Sequence, residues 1–164
     1  MNWLIILSGF PGSGKTSIAK RLCSERPDFA RVSSDDLRHM IFNERYPSRD
    51  ENVIFQIMRE TAVILLMKGY NVILDSTAPN NSLRRYLLSA AQPNNGKMLV
   101  ILDVSEQILK KRGISDETIT LWQNFWEEPD IPVNIIIKEK NETKDDENKI
   151  IYLILKTIEN SEIR

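Results

Sequence analysis

The string Gly9-Phe10-Pro11-Gly12-Ser13-Gly14-Lys15-Thr16 gathers glycines, a lysine and a hydroxyl into one short segment. Glycines let a backbone turn tightly and aim its N–H groups at anionic oxygens. Lys15 adds a cation where a helix begins, and the helix dipole there already favours negative charge. Thr16 offers a hydroxyl oxygen, a hard ligand that suits Mg²⁺. The spacing is a complete G-x-x-x-x-G-K-[ST] pattern, so Gly9, Gly12, Ser13, Gly14, Lys15 and Thr16 are the candidates to hold the phosphates of ATP, with Mg²⁺ on Thr16. Such a loop needs a strand before it and a helix after it. The apolar run Trp3-Leu4-Ile5-Ile6-Leu7 and the stretch Ser17-Ile18-Ala19-Lys20-Arg21-Leu22 meet that need.

A second constellation is Val32-Ser33-Ser34-Asp35-Asp36-Leu37-Arg38. In an open parallel sheet, ligands sit outside the carboxyl ends of the strands. Asp35 then shares a rim with the glycine loop, and a carboxylate there can take a hydroxyl proton as general base. Arg38 lies one helical turn on, and its fork suits a phosphate or carboxylate. The plainer reading is that Ser33, Ser34 or Asp35 caps a helix and Arg38 faces water. Asp75 and Asp103 each end an apolar strand, and either can serve Mg²⁺. The cluster Lys110-Lys111-Arg112 precedes Gly113. It either closes over the phosphates, neutralising charge during transfer, or is a solvated helix end.

The elements that must position these groups alternate along the chain. The patterns predict strands at 3–8, 30–33, 71–75, 98–104 and 133–138. They predict helices at 15–25, 35–42, 52–68, 81–91, 105–111, 115–126 and 145–159. This is an α/β arrangement with a parallel sheet covered on both faces. A chain of 164 residues suits a single domain, 1–164. The 22 basic and 23 acidic side chains nearly cancel, which argues against a nucleic-acid-coated surface but not against a local basic site. One cysteine, Cys23, allows no internal disulfide and reads as core. No signal-peptide pattern and no run near the ~20 apolar residues of a membrane span are present, so the expectation is a cytoplasmic protein with no membrane partner. The polar run 138–149 reads as a solvated loop entering a last helix. Trp122, Phe125 and Trp126 fall on one helical stripe and read as core rather than as a platform for bases. His39 reads as a surface or pocket-lining residue. Oligomeric state is left open.

On three motifs the chain resembles the phosphate-loop kinases typified by bacteriophage polynucleotide 5′-kinase and the kinase modules of bacterial RNA-repair enzymes. They are residues 9–16, Ser33-Ser34-Asp35-Asp36-Leu37-Arg38 and Leu74-Asp75-Ser76-Thr77. A looser match runs from Asp103 through Lys111-Arg112-Gly113 to Phe125-Trp126-Glu127-Glu128-Pro129. The resemblance implies a three-layer P-loop kinase fold with a five-stranded parallel sheet in the order 2-3-1-4-5 and a short lid near 110–118. It implies Asp35 as general base, Arg38 on an acceptor-side phosphate, Lys15 and Thr16 serving ATP and Mg²⁺, and Arg112 as the lid arginine. Lys15 and Arg112 would stabilise the transferring phosphate. The implied strand order favours Asp75 over Asp103. Family members commonly read Asp-x-Thr-Asn at the third strand, where this chain has Asp75-Ser76-Thr77-Ala78. They also often carry two spaced basic groups in the lid, where this chain has one cluster.

The expected activity is transfer of the γ-phosphate of ATP to a hydroxyl, foremost a polynucleotide 5′-hydroxyl end. Arg38, Arg84 and Arg85 favour an anionic acceptor, with Arg38, Asp75 and Arg84 as its candidate contacts, the plainer reading of Arg84 and Arg85 being solvated helix residues. One alternative is a small-molecule kinase, because the zeta-toxin sugar-nucleotide kinases look similar in the loop and at 69–73. Another is a nucleotide-dependent regulatory module with little turnover. Asp35 separates the classes, since a switch needs no base on the second-strand rim.

Overall fold

The computed structural model describes residues 1–163. In chain order the elements are β1 (Trp3–Ser8), α1 (Lys15–Glu25), β2 (Phe29–Ser33), α2 (Ser34–Phe42), α3 (Glu51–Met67) and β3 (Asn71–Asp75). There follow α4 (Asn81–Leu88), β4 (Gly96–Asp103), α5 (Glu106–Lys111), α6 (Asp116–Phe125), β5 (Ile135–Lys140) and α7 (Lys144–Glu162). The five strands form one parallel sheet in the order β2-β3-β1-β4-β5. This is the P-loop kinase order.

Side chains alternate across a strand, so a strand buried on both faces feeds two cores. In β1, Ile5 and Leu7 pack with Ile18 and Leu22 of α1 and Ile150 and Ile154 of α7. Leu4 and Ile6 pack on the other face with Ile54 and Met58 of α3 and Leu87 of α4. The sheet is thus the middle of three layers. Cys23 lies half-buried against the first core.

Helix starts are fixed by short polar side chains that accept otherwise unpaired N–H groups. Ser33 caps α2 through Asp36 N, Asp50 caps α3 through Val53 N and Asn80 caps α4 through Leu83 N. Thr143 and Asp146 form a reciprocal capping box on α7. The last strand begins at Ile135 rather than 133. Asn134 brackets Lys97, taking its N–H on Oδ1 at 2.8 Å and giving its own N–H to the Lys97 carbonyl at 2.9 Å. Among the described residues, no helix is long and apolar enough to cross a membrane.

Gly96 pairs with Trp3, and a Cβ at residue 96 would run into the Trp3 indole. Overpacking of this kind costs about 1–3 kcal/mol. Gly96→Ala should therefore lower the unfolding free energy by that amount, read as a lower urea midpoint at an unchanged m-value.

Candidate active site

The glycine loop spans the gap between β1 and α1. Gly12 and Gly14 hold φ of 81° and 93°, the left-handed region where a side chain is strained. Gly14 is the N-cap of α1 and offers no side-chain acceptor, so the first N–H groups of the helix remain available to an anion. Lys15 is buried and folds back on the loop. Its Nζ donates to the carbonyls of Gly9 at 2.9 Å and Phe10 at 3.0 Å. Burial pushes its ammonium down to about 8, a shift the charges of Asp75 and Asp35 only partly offset.

Thr16 Oγ1 donates to Asp75 Oδ2 at 2.9 Å. Asp75 ends β3 and is buried, whereas Asp103 is exposed and borders a separate pocket of about 250 Å³ behind the loop. Of the two strand-ending carboxylates, only Asp75 stands beside Thr16. The pair fits Mg²⁺: a hydroxyl and a carboxylate are hard oxygen donors. The described residues contain no group of three or more His, Cys, Asp or Glu able to cage a metal. Mg²⁺ is suited to such sparse sites because it keeps most of its coordination to phosphates and water.

Asp35 opens onto the same cleft, of about 880 Å³, as Lys15, Thr16, Asp75 and Arg112. Its side chain is 83% exposed and takes one hydrogen bond from Arg38 Nη1 at 2.7 Å. Arg38 does not face water, as the plainer reading had it. Its side chain is only 5% exposed, and Nε and Nη2 are committed to Glu51 at 3.0 and 2.7 Å. Its guanidinium lies 5.1 Å from the Tyr46 ring and 5.7 Å from that of Phe55. Two carboxylates pair with this arginine, which also lines the cleft beside Asp35. Burial pushes the Glu51 carboxyl up, but hydrogen bonds from Arg38 and Ser48 outweigh this and hold it below the usual range.

Arg84 requires a correction. It is fully buried, away from the cleft, and donates to the carbonyls of Ala78 at 2.8 Å and Glu127 at 2.7 Å and to Asn81 Oδ1 at 3.0 Å. Its guanidinium also lies 4.8 Å from the Trp126 ring. Burial lowers its pKa, opposed by Glu127 and Glu128. It braces α4 against the segment after α6 and cannot contact a substrate there. Arg85 is exposed and donates to the Asp130 carbonyl.

Arg112 caps α5 and reaches across to the loop. Nη1 donates to the Gly12 carbonyl at 2.7 Å and Nη2 to that of Asn141 at 3.0 Å. Of the basic cluster it alone lines the cleft; Lys110 pairs with Asp116 at 3.0 Å and Lys111 is exposed. The aromatic stripe on α6 divides. Trp122 lines the cleft and meets Tyr46 at 5.2 Å, Trp126 packs on Phe10, and Phe125 is 43% exposed. His39 is exposed and outside the cleft.

Several cleft groups escaped the sequence reading. Asn141 is buried and ties the start of α7 to the loop through the Ser13 carbonyl at 2.7 Å. Arg45 and Tyr46 lie on the α2–α3 loop, and Arg45 makes no ion pair among the described residues. Arg31, which does not itself line the cleft, grips Asp75, and a charged residue inside the strand Phe29-Ala30-Arg31-Val32 was the available signal.

Residues 4–114 match the family described as AAA domain. Solved structures with a similar fold include a gluconokinase from Sinorhizobium meliloti 1021 (19% identity, TM-score 0.74, covering 98% of this chain and 96% of that one). Another is the Mycobacterium tuberculosis APS kinase CysC in complex with AMPPNP and APS (17% identity, TM-score 0.70, 96% and 98%). A third is a chain of a Pnkp1/Rnl/Hen1 complex (27% identity, TM-score 0.64, covering 70% of this chain and 40% of that one).

Lys15 makes stability depend on pH. Its value of about 8 lies below its ordinary 10.5, so the unfolded chain binds more protons between these limits. The cost of burying the charge is therefore complete below pH 8 and is relieved as pH rises to 10.5. The nucleotide-free protein should gain up to roughly 3 kcal/mol from this group over that window. Urea unfolding between pH 7.5 and 10 should show the gain in the wild type and its absence in Lys15→Met.

Proposed function

The chain belongs to the AAA domain family, and on that footing we propose that it is an ATP-dependent kinase with a hydroxyl acceptor. The observation that carries this reading is Asp35: an exposed carboxylate, oriented by Arg38, opening onto the cleft that contains Lys15, Thr16 and Asp75. Phosphate binding alone has no use for such a group.

In this mechanism ATP lays its phosphates along the N–H groups of the loop and α1. Lys15 and Arg112 exchange their backbone carbonyls for phosphate oxygens. Asp35 takes the proton of the acceptor hydroxyl as that oxygen bonds to the γ-phosphorus. The bond from the γ-phosphorus to its bridging oxygen breaks, and ADP leaves. Lys15 and Arg112 then face the charge that develops on the transferring group. Thr16 and Asp75 would hold Mg²⁺, which when bound neutralises phosphate charge.

The acceptor we propose is a polynucleotide 5′-hydroxyl end. Tyr46 and Leu121, exposed over the buried Trp122, give the mouth of the cleft an apolar face with one aromatic ring on which a base can stack. Arg45 stands beside it with no protein carboxylate in contact, a cation open to a phosphodiester. A small-molecule acceptor is the second reading, favoured by the match over nearly the whole chain to proteins named gluconokinase and APS kinase.

Transfer from labelled ATP to 5′-hydroxyl DNA, 5′-hydroxyl RNA and a metabolite panel tests both. Label on nucleic-acid ends is the expected result, and label on metabolites alone selects the second reading. ATP binding without transfer to any acceptor would leave a regulatory module. Asp35→Asn should lower transfer by about 10²–10⁴-fold while ATP affinity, followed with a fluorescent analogue, stays within a few-fold. Wild-type turnover in that variant removes Asp35 as base.

A further inference from the structure

Asp75 Oδ2 is crowded. It accepts from Thr16 Oγ1 at 2.9 Å and from Arg31 Nε at 2.9 Å, and Arg31 Nη2 stands 2.8 Å away in the same ion pair. Oδ1 receives no donor from the described residues, and Asp75 lines the cleft. The side chains of Asp75 and Arg31 are 4% and 13% exposed, so this ion pair lies largely out of water. The other arm of the same guanidinium, Nη1, donates to Asp36 Oδ2 at 2.6 Å. Asp36 follows the candidate base directly, in the first turn of α2. One arginine on β2 therefore joins the carboxylate beside Thr16 to the helix that carries Asp35.

Lys15 does not duplicate this pairing. Its Nζ rests on loop carbonyls, and Arg31 is the cation found in contact with Asp75 among the described residues. A buried carboxylate relieved of its contacting cation would attract a divalent ion more strongly. With Arg31 in place, half of the Asp75 carboxylate is occupied and its charge is largely cancelled before any ligand arrives.

We propose that Arg31 is a positioning residue with two effects: it fixes Asp75 relative to Asp35, and it keeps the site from taking a divalent cation until nucleotide phosphates supply the missing negative charge. The first effect rests on the kinase reading. The second depends only on metal binding and stands apart from it.

The test uses Mn²⁺ as probe, with free Mn²⁺ followed by electron paramagnetic resonance during titration of the full chain. Wild type should take up Mn²⁺ measurably, beyond what the analogue alone removes, only when a non-hydrolysable ATP analogue is present. Arg31→Gln should bind Mn²⁺ without nucleotide about tenfold more tightly than wild type, or better. Its kcat for phosphoryl transfer should fall about tenfold or more, with the KM for ATP within a few-fold. Superimposable Mn²⁺ titrations of the wild type and a folded Arg31→Gln overturn the metal-excluding effect, whatever the protein phosphorylates. Arg31→Lys keeps the charge but cannot span both carboxylates. It should retain the wild-type Mn²⁺ titration and recover only part of kcat. Full wild-type kcat in Arg31→Lys overturns the positioning effect, and this variant also serves if Arg31→Gln does not fold.

Discussion

A parallel sheet leaves all its carboxyl ends on one edge, and the cleft depends on how those ends are aligned. The register pairs Ser33 with Asp75 and Asp75 with Leu7, while Ser8 pairs with Ile101. The cap of α2, the Thr16 partner and the start of the glycine loop are therefore adjacent before any side chain acts. Side chains on a strand alternate faces, so a slip of one residue would turn Asp75 away from Thr16. The two apolar cores oppose such a slip, since it would turn Ile5 and Leu7 toward the wrong layer. Packing far from the cleft thus holds its geometry.

The resting partners of the cations in and behind the cleft differ in kind. Arg31 and Arg38 sit on carboxylates, Asp75 with Asp36 and Glu51 with Asp35. Lys15 and Arg112 sit on backbone carbonyls. A charged phosphate oxygen easily displaces a neutral carbonyl, because charge-assisted hydrogen bonds are about twice as strong. It gains little by displacing a carboxylate. Around the cleft, cations resting on neutral carbonyls thus stand apart from cations already paired with carboxylates.

That separation marks where the sequence was legible. The glycine loop, the strands and most helix caps are local patterns, readable within a few residues. Asp75 and Asp103 looked alike in sequence, and the strand order separates them. Arg38 and Arg84 were read from their neighbours in the chain, but what decides them is distant. Glu51 lies 13 residues from Arg38 and the Glu127 carbonyl 43 from Arg84. The aromatic stripe held for two of its three members: Trp122 is buried and Trp126 packs against the second core, while Phe125 is exposed, and the α2–α3 loop and the buried Arg84 supply partners that helical spacing does not reveal.

The folded-back Lys15 has a further consequence. With a value of about 8 set by burial, the ammonium is partly deprotonated in mildly alkaline solution while it rests on the loop carbonyls. Phosphate oxygens favour the charged form. Filling the cleft at such a pH therefore draws a fraction of a proton from the surroundings for each nucleotide bound. The heat of that event includes the ionisation heat of the buffer. Calorimetric enthalpies for this protein then have meaning only when compared across buffers, even though every phosphate contact is the same in each.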